Sequence, residues 1–211
     1  MPKKIIVFIV IISLNSCAVI NKNFKKDSGS STGIGIDTST GAILDSQSFK
    51  NRLAEGVKDS ELSRWTGGSL YYAASTHSLQ DFKNRLAEGA KEPELSRWTE
   101  GFLFYAGSKY SLQDFKKRLA EGAKEPELSR WSEGSLFYAA STHTLQDFKK
   151  RLAEGAKEPE LSRWSEGSLF YAESLQPLQA FKNRLSEGAK DSEISRWTGG
   201  ALYYAGSIHK L

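Results

Sequence analysis

Five tryptophans, Trp65, Trp98, Trp131, Trp164 and Trp197, and five phenylalanines, Phe49, Phe82, Phe115, Phe148 and Phe181, each recur every 33 residues. This double ladder constrains the chain more than any other feature. A fixed period of this length means supersecondary units that bury their apolar sides against one another, not one globular core. The copies are nearly identical in the middle of the array, where Phe115–Ala139 returns unchanged as Phe148–Ala172.

Each unit divides into two helical halves. In the first, Leu112, Phe115 and Leu119 fall at i, i+3 and i+7 and predict an amphipathic helix, with Lys117 and Glu121 spaced to pair across one turn. Ser111 and Asp114 have the spacing of a capping box, and Gly122 is the expected left-handed stop. In the second half, Leu128, Trp131, Ser135 and Tyr138 form one stripe, and Leu136, Phe137 and Ala139 spread the apolar surface around the helix. That predicts an inner helix buried on more than one side. Gly134 and its equivalents interrupt this segment, and a turn dividing it in two is expected there.

Gly134 to Ala140, then Phe148 and Leu152, then Gly155-Ala156, resembles the ankyrin repeat pattern, and the period is that family's. The resemblance covers residues 45 to 211. It implies an all-α fold, an α-solenoid of five 33-residue helix-pair repeats, with the ankyrin finger replaced by Lys124 to Trp131. Tetratricopeptide repeats are the alternative, because Trp131 and Tyr138 keep that motif's spacing. The array is expected over residues 48–211. The end copies differ from the middle ones, with Asp59-Ser60 and Asp191-Ser192 in place of Glu-Pro, and are expected to be caps.

Ahead of the array, Lys3 and Lys4, an apolar run from Ile5 to Leu14, and Leu14-Asn15-Ser16-Cys17 resemble the signal peptide and lipobox of bacterial lipoproteins. The resemblance implies removal of residues 1–16 and acylation of Cys17, the only cysteine, with several acyl chains holding the protein on a membrane. Residues 17–47 are polar and rich in Ser, Thr and Gly, which predicts a flexible tether, and residues 34–44 admit a small hairpin.

Two of the four net positive charges, Lys3 and Lys4, belong to the leader, and the repeat from Phe115 to Asp147 is neutral. No basic stripe points to nucleic acid. A single cysteine excludes internal disulfides and cysteine metal sites. His77, His143 and His209 share a column but fall two units apart, too far for a common metal, and no nucleophile elbow or phosphate loop is present. Neither enzyme activity nor a cofactor is expected. The tryptophans and phenylalanines read as structural anchors. The connections after each Tyr-Ala change from copy to copy, and His77, Lys109, Tyr110, His143 and Gln176 are the candidate binding edge. The expected role is a monomeric, non-catalytic, lipid-anchored module of the bacterial cell envelope that binds a protein partner as scaffold or inhibitor. A surface-displayed structural or antigenic repeat of variable copy number is the alternative.

Overall fold

The computed structural model describes residues 45–207. The expected leader, Cys17, the tether and His209 lie outside the described residues. The described chain is all-helical: α1 (Ser46–Lys58), α2 (Gly68–Ala74), α3 (Leu79–Gly89), α4 (Gly101–Gly107), α5 (Leu112–Gly122), α6 (Gly134–Ala140), α7 (Leu145–Gly155), α8 (Gly167–Glu173), α9 (Leu178–Lys190), α10 (Ser192–Ser195) and α11 (Gly200–Gly206). None of these helices is long and apolar enough to cross a membrane.

A longer outer helix, a one-turn element and a seven-residue inner helix make up each unit. The predicted cap forms in part: Ser111 Oγ accepts from the Asp114 amide at 3.2 Å, while the Asp114 carboxylate takes the Ser111 hydroxyl at 2.7 Å in place of the Ser111 amide that a full capping box would use. The predicted break after the tryptophan also holds. Leu128–Arg130 forms a 3-10 turn, Trp131 is extended (φ −107°, ψ 128°), and α6 starts afresh at Gly134. A Cβ on Gly134 would sit 2.5 Å from the Leu128 carbonyl oxygen, so the chain can double back there only without a side chain. All seven residues of α6 are buried.

Gly122 differs from expectation. Its φ is negative, and it is not a left-handed stop. A Cβ there would stand 2.9 Å from the Tyr138 ring, so glycine lets the outer helix approach the inner one. Glu121 likewise turns from Lys117 and accepts from the Tyr138 hydroxyl at 2.6 Å.

Successive units pack outer helix on inner helix, and each inner helix on the next: α2 on α4, α4 on α6, α6 on α8, α8 on α11. The series does not end there, because α11 also packs on α2. Every joint of the array recurs at this seam. Phe115 meets the Tyr105 ring edge-on at 5.6 Å, Phe148 meets Tyr138 at 5.7 Å, and Phe49, the first of the ladder, meets Tyr204, the last tyrosine of its column, at 5.6 Å. Lys116 bridges back to Glu92 at 2.9 Å and Lys149 to Glu125 at 2.9 Å, and Lys50 bridges to Asp191 at 3.1 Å. Phe49, Leu53, Leu70, Ala73, Ile194 and Tyr204 form a buried cluster across the junction. The units close into a ring.

Closure corrects the expectation of an open solenoid with capped ends. The end copies are each other's neighbours, and their Asp-Ser variant does a local job. Asp59 accepts from the Glu61 and Leu62 amides while binding Lys83, and Asp191 does the same for Glu193, Ile194 and Lys50.

The phenylalanines of the ladder are fully buried, but the tryptophans are not the deep anchors expected of them. Trp98, Trp131, Trp164 and Trp197 are partly buried and Trp65 is 39% exposed. The extended residue after the 3-10 turn lies on the margin of the unit. Its interior is filled by Leu128 and Tyr138 and their counterparts.

Candidate functional site

The inner helices surround an axis. At mid-height Tyr71, Phe104, Phe137, Phe170 and Tyr203 meet edge-on in a complete circle, with ring centroids 5.1, 4.8, 4.9, 4.8 and 5.0 Å apart in turn. Such edge-to-face pairs contribute about 1 kcal/mol each beyond burial. This circle divides the axis into two ends of different chemistry.

At the N-terminal end of the inner helices, Glu100, Glu133 and Glu166 precede α4, α6 and α8. The Tyr71 hydroxyl donates to Glu100 at 2.8 Å. Burial, reinforced by the charges of Glu166 and Glu100, pushes the Glu133 carboxyl up to about 7; burial and Glu100 raise Glu166 as well. The flanking copies carry glycine instead, Gly67 and Gly199, both at positive φ (77° and 73°). These are also the copies in which tyrosine replaces phenylalanine in the circle: a Cβ on Gly67 would stand 3.9 Å from the Tyr203 hydroxyl oxygen. Tyrosine hydroxyls thus fill the axis where two further carboxylates would crowd it.

Since Glu133 titrates higher folded than unfolded, the folded state is favoured by its protonation. That advantage is present below about pH 4.5 and is lost as pH rises toward 7. Glu133→Gln is therefore expected to raise thermal stability at pH 8 by about 1 kcal/mol, after allowance for solvent screening, and to leave it unchanged near pH 4.5. Melting curves at the two pH values check this.

At the other end, the circle floors a cavity of about 470 Å³. Its wall is the column Ala74, Gly107, Ala140, Glu173 and Gly206 with the serine that follows each of the first four, and its mouth carries the exposed Thr76, Lys109, Thr142 and Leu175. Glu173 makes no hydrogen bond or ion pair among the described residues, and burial pushes its carboxyl up to about 8.

The candidate edge residues part company here. Lys109 lies at the mouth. The other four are drawn into the seams between neighbours. A His77 ring nitrogen lies 2.7 Å from the Ser108 carbonyl, His143 makes the same contact with Ser174, Gln176 donates to the Ala205 carbonyl at 2.9 Å, and the Tyr110 ring lies beneath the Arg118 guanidinium at 4.8 Å. The exposed edge falls one residue earlier than expected, at Thr76, Thr142 and Leu175.

What holds this face rigid is a column absent from the sequence reading. Arg118 stacks on the Tyr138 ring at 4.3 Å and donates to the carbonyls of Tyr138, Ser141 and His143, each at 2.9 Å. Arg52, Arg85, Arg151 and Arg184 repeat the clamp. Its signal was available: this position is arginine in all five copies, while the residue before it alternates between Asn and Lys. Arg118→Ala is expected to cost about 2–3 kcal/mol in chemical denaturation. Arg118→Lys should recover less than half, since an ammonium neither forks nor stacks.

No family model, curated protein or solved structure matches the chain. Among the described residues, no three carboxylate, histidine or cysteine side chains are grouped to hold a metal ion.

Proposed function

We propose that the chain is a non-catalytic binding module, held on a membrane of the bacterial cell envelope by acylated Cys17, that engages a protein partner through the mouth face of the ring. Its unit is ankyrin-like in period and in the order Gly-x-Leu, Ala-Ala, Gly-Ala; its departure from that pattern is the 3-10 turn before the tryptophan. The observation that carries the reading is the placement of variation. Within a unit repeated almost verbatim, the residues that change most come together around one opening, on loops clamped by five arginines. Asp45, which caps α1, acts electrostatically on Arg184, whose guanidinium in turn meets Ser207 of the mouth-side loop. The described chain therefore begins, at Asp45, on the mouth side of the ring. The rival role, a surface repeat of variable copy number, is not favoured by a ring whose last unit packs on its first.

Two measurements test the proposal. Metabolic labelling with palmitate is expected to mark the wild-type chain and not Cys17→Ser; an unlabelled wild-type chain defeats the anchor. Crosslinking in intact envelopes is expected to yield a defined adduct that Thr76→Glu with Thr142→Glu abolishes. An adduct unchanged by those substitutions places the binding face elsewhere.

A further inference from the structure

The cavity on the ring axis carries an inference that goes beyond protein binding. We propose that it is a site for a small organic cation, whose ammonium pairs with the Glu173 carboxylate while its apolar body rests on the circle of Tyr71, Phe104, Phe137, Phe170 and Tyr203.

Three observations lead there. The volume, about 470 Å³, is that of a small-molecule site, and the floor is wholly aromatic. The wall is nearly free of charge: four of its five column positions are alanine or glycine, and the fifth is Glu173. That residue is also the first at which two otherwise identical copies diverge, with Phe115–Ala139 followed by Ala140 and Phe148–Ala172 followed by Glu173.

A carboxyl set into protein without a cation or donor beside it is costly in its charged form. It stays protonated while the cavity is empty, in keeping with the rise of its pKa to about 8. A ligand ammonium removes that cost by supplying the missing counter-charge at this half-buried position. Lys109, the one cation at the mouth among the described residues, is exposed and lies 5.9 Å from the Tyr110 ring centroid. It does not figure among the influences on Glu173, so the two charges are not a pair. The three clustered carboxylates belong to the opposite end of the axis, beyond the aromatic circle.

The test is calorimetric titration of the full mature chain with hexylamine at pH 7, beside 1-hexanol and hexanoate as neutral and anionic counterparts of equal length. Hexylamine is expected to bind at least tenfold more tightly than 1-hexanol. Glu173→Gln should remove that margin, as should Glu173→Ala, which installs the residue found at this position in the first and third copies and so preserves the fold. Equal binding of hexylamine and 1-hexanol, or an undiminished margin in both variants, overturns the proposal. So does tighter binding of hexanoate, which would assign the cavity to anions through Lys109.

Discussion

Deleting one complete repeat, residues 115–147, is expected to abolish the folded monomer rather than shorten it. The deletion leaves every remaining local sequence intact, since Asp114 would be followed by Phe148–Ala172, which is identical to Phe115–Ala139. In an open stack the loss would be confined to one unit and one interface. In the ring, four wedges must span an angle that five now divide, so the joint between α11 and α2 and the Phe49–Tyr204 pair can form only if every other joint is distorted. The seam cluster contains five large apolar side chains, Phe49, Leu53, Leu70, Ile194 and Tyr204. At roughly 2 kcal/mol for each side chain exposed, the loss is on the order of 10 kcal/mol, comparable to the whole stability of a domain this size. Circular dichroism melting together with light scattering on a sizing column decides the matter. The expected outcome is a non-cooperative melt, or an oligomer in which exposed seam surfaces pair between chains. A monomer melting cooperatively within a few degrees of the parent would refute closure as a source of stability.

Phe49→Ala gives the second large effect, informative because Phe49 opens the ladder. It is fully buried, as is Phe115 in the middle of the array, and each meets a tyrosine of the neighbouring unit at 5.6 Å. Both substitutions are expected to cost about 3–5 kcal/mol in urea unfolding, the usual range for emptying a core of a phenyl ring. An end residue of an open stack, with a partner on one side only, would lose roughly half as much. A markedly smaller loss for Phe49→Ala than for Phe115→Ala would therefore show the seam to be weaker than the other joints.

The parts of this fold that were legible beforehand are those governed by contacts within one unit. Ser111 and Asp114 cap α5 because a hydroxyl and an amide three residues apart satisfy each other locally, and Gly134 marks a doubling back that depends only on Leu128 nearby. Closure is a different matter, because it depends on the angle between successive units, which is set by small differences in packing and leaves no periodic trace. Its signs lay in the end copies, where Tyr71 and Tyr203 replace phenylalanine and Gly67 and Gly199 replace glutamate, but altered end copies also suit caps. Trp131 and its fellows were credited with depth on account of size, whereas the extended backbone after a 3-10 turn carries them to the margin. At the site, the variable connections do gather around one opening. Their individual residues were misjudged because His77, His143 and Gln176 reach sideways to the next carbonyl, a contact that no spacing within one copy reveals.

A ring in which Phe49 stands to Tyr204 as Phe115 stands to Tyr105 has no privileged point of entry. Which joint of the ring is left without a peptide connection is then not a demand of the architecture. Joining Asp45 to Ser207 by a glycine linker and opening the chain at Thr142, or at any equivalent corner, should return the same circular order of units under a new numbering.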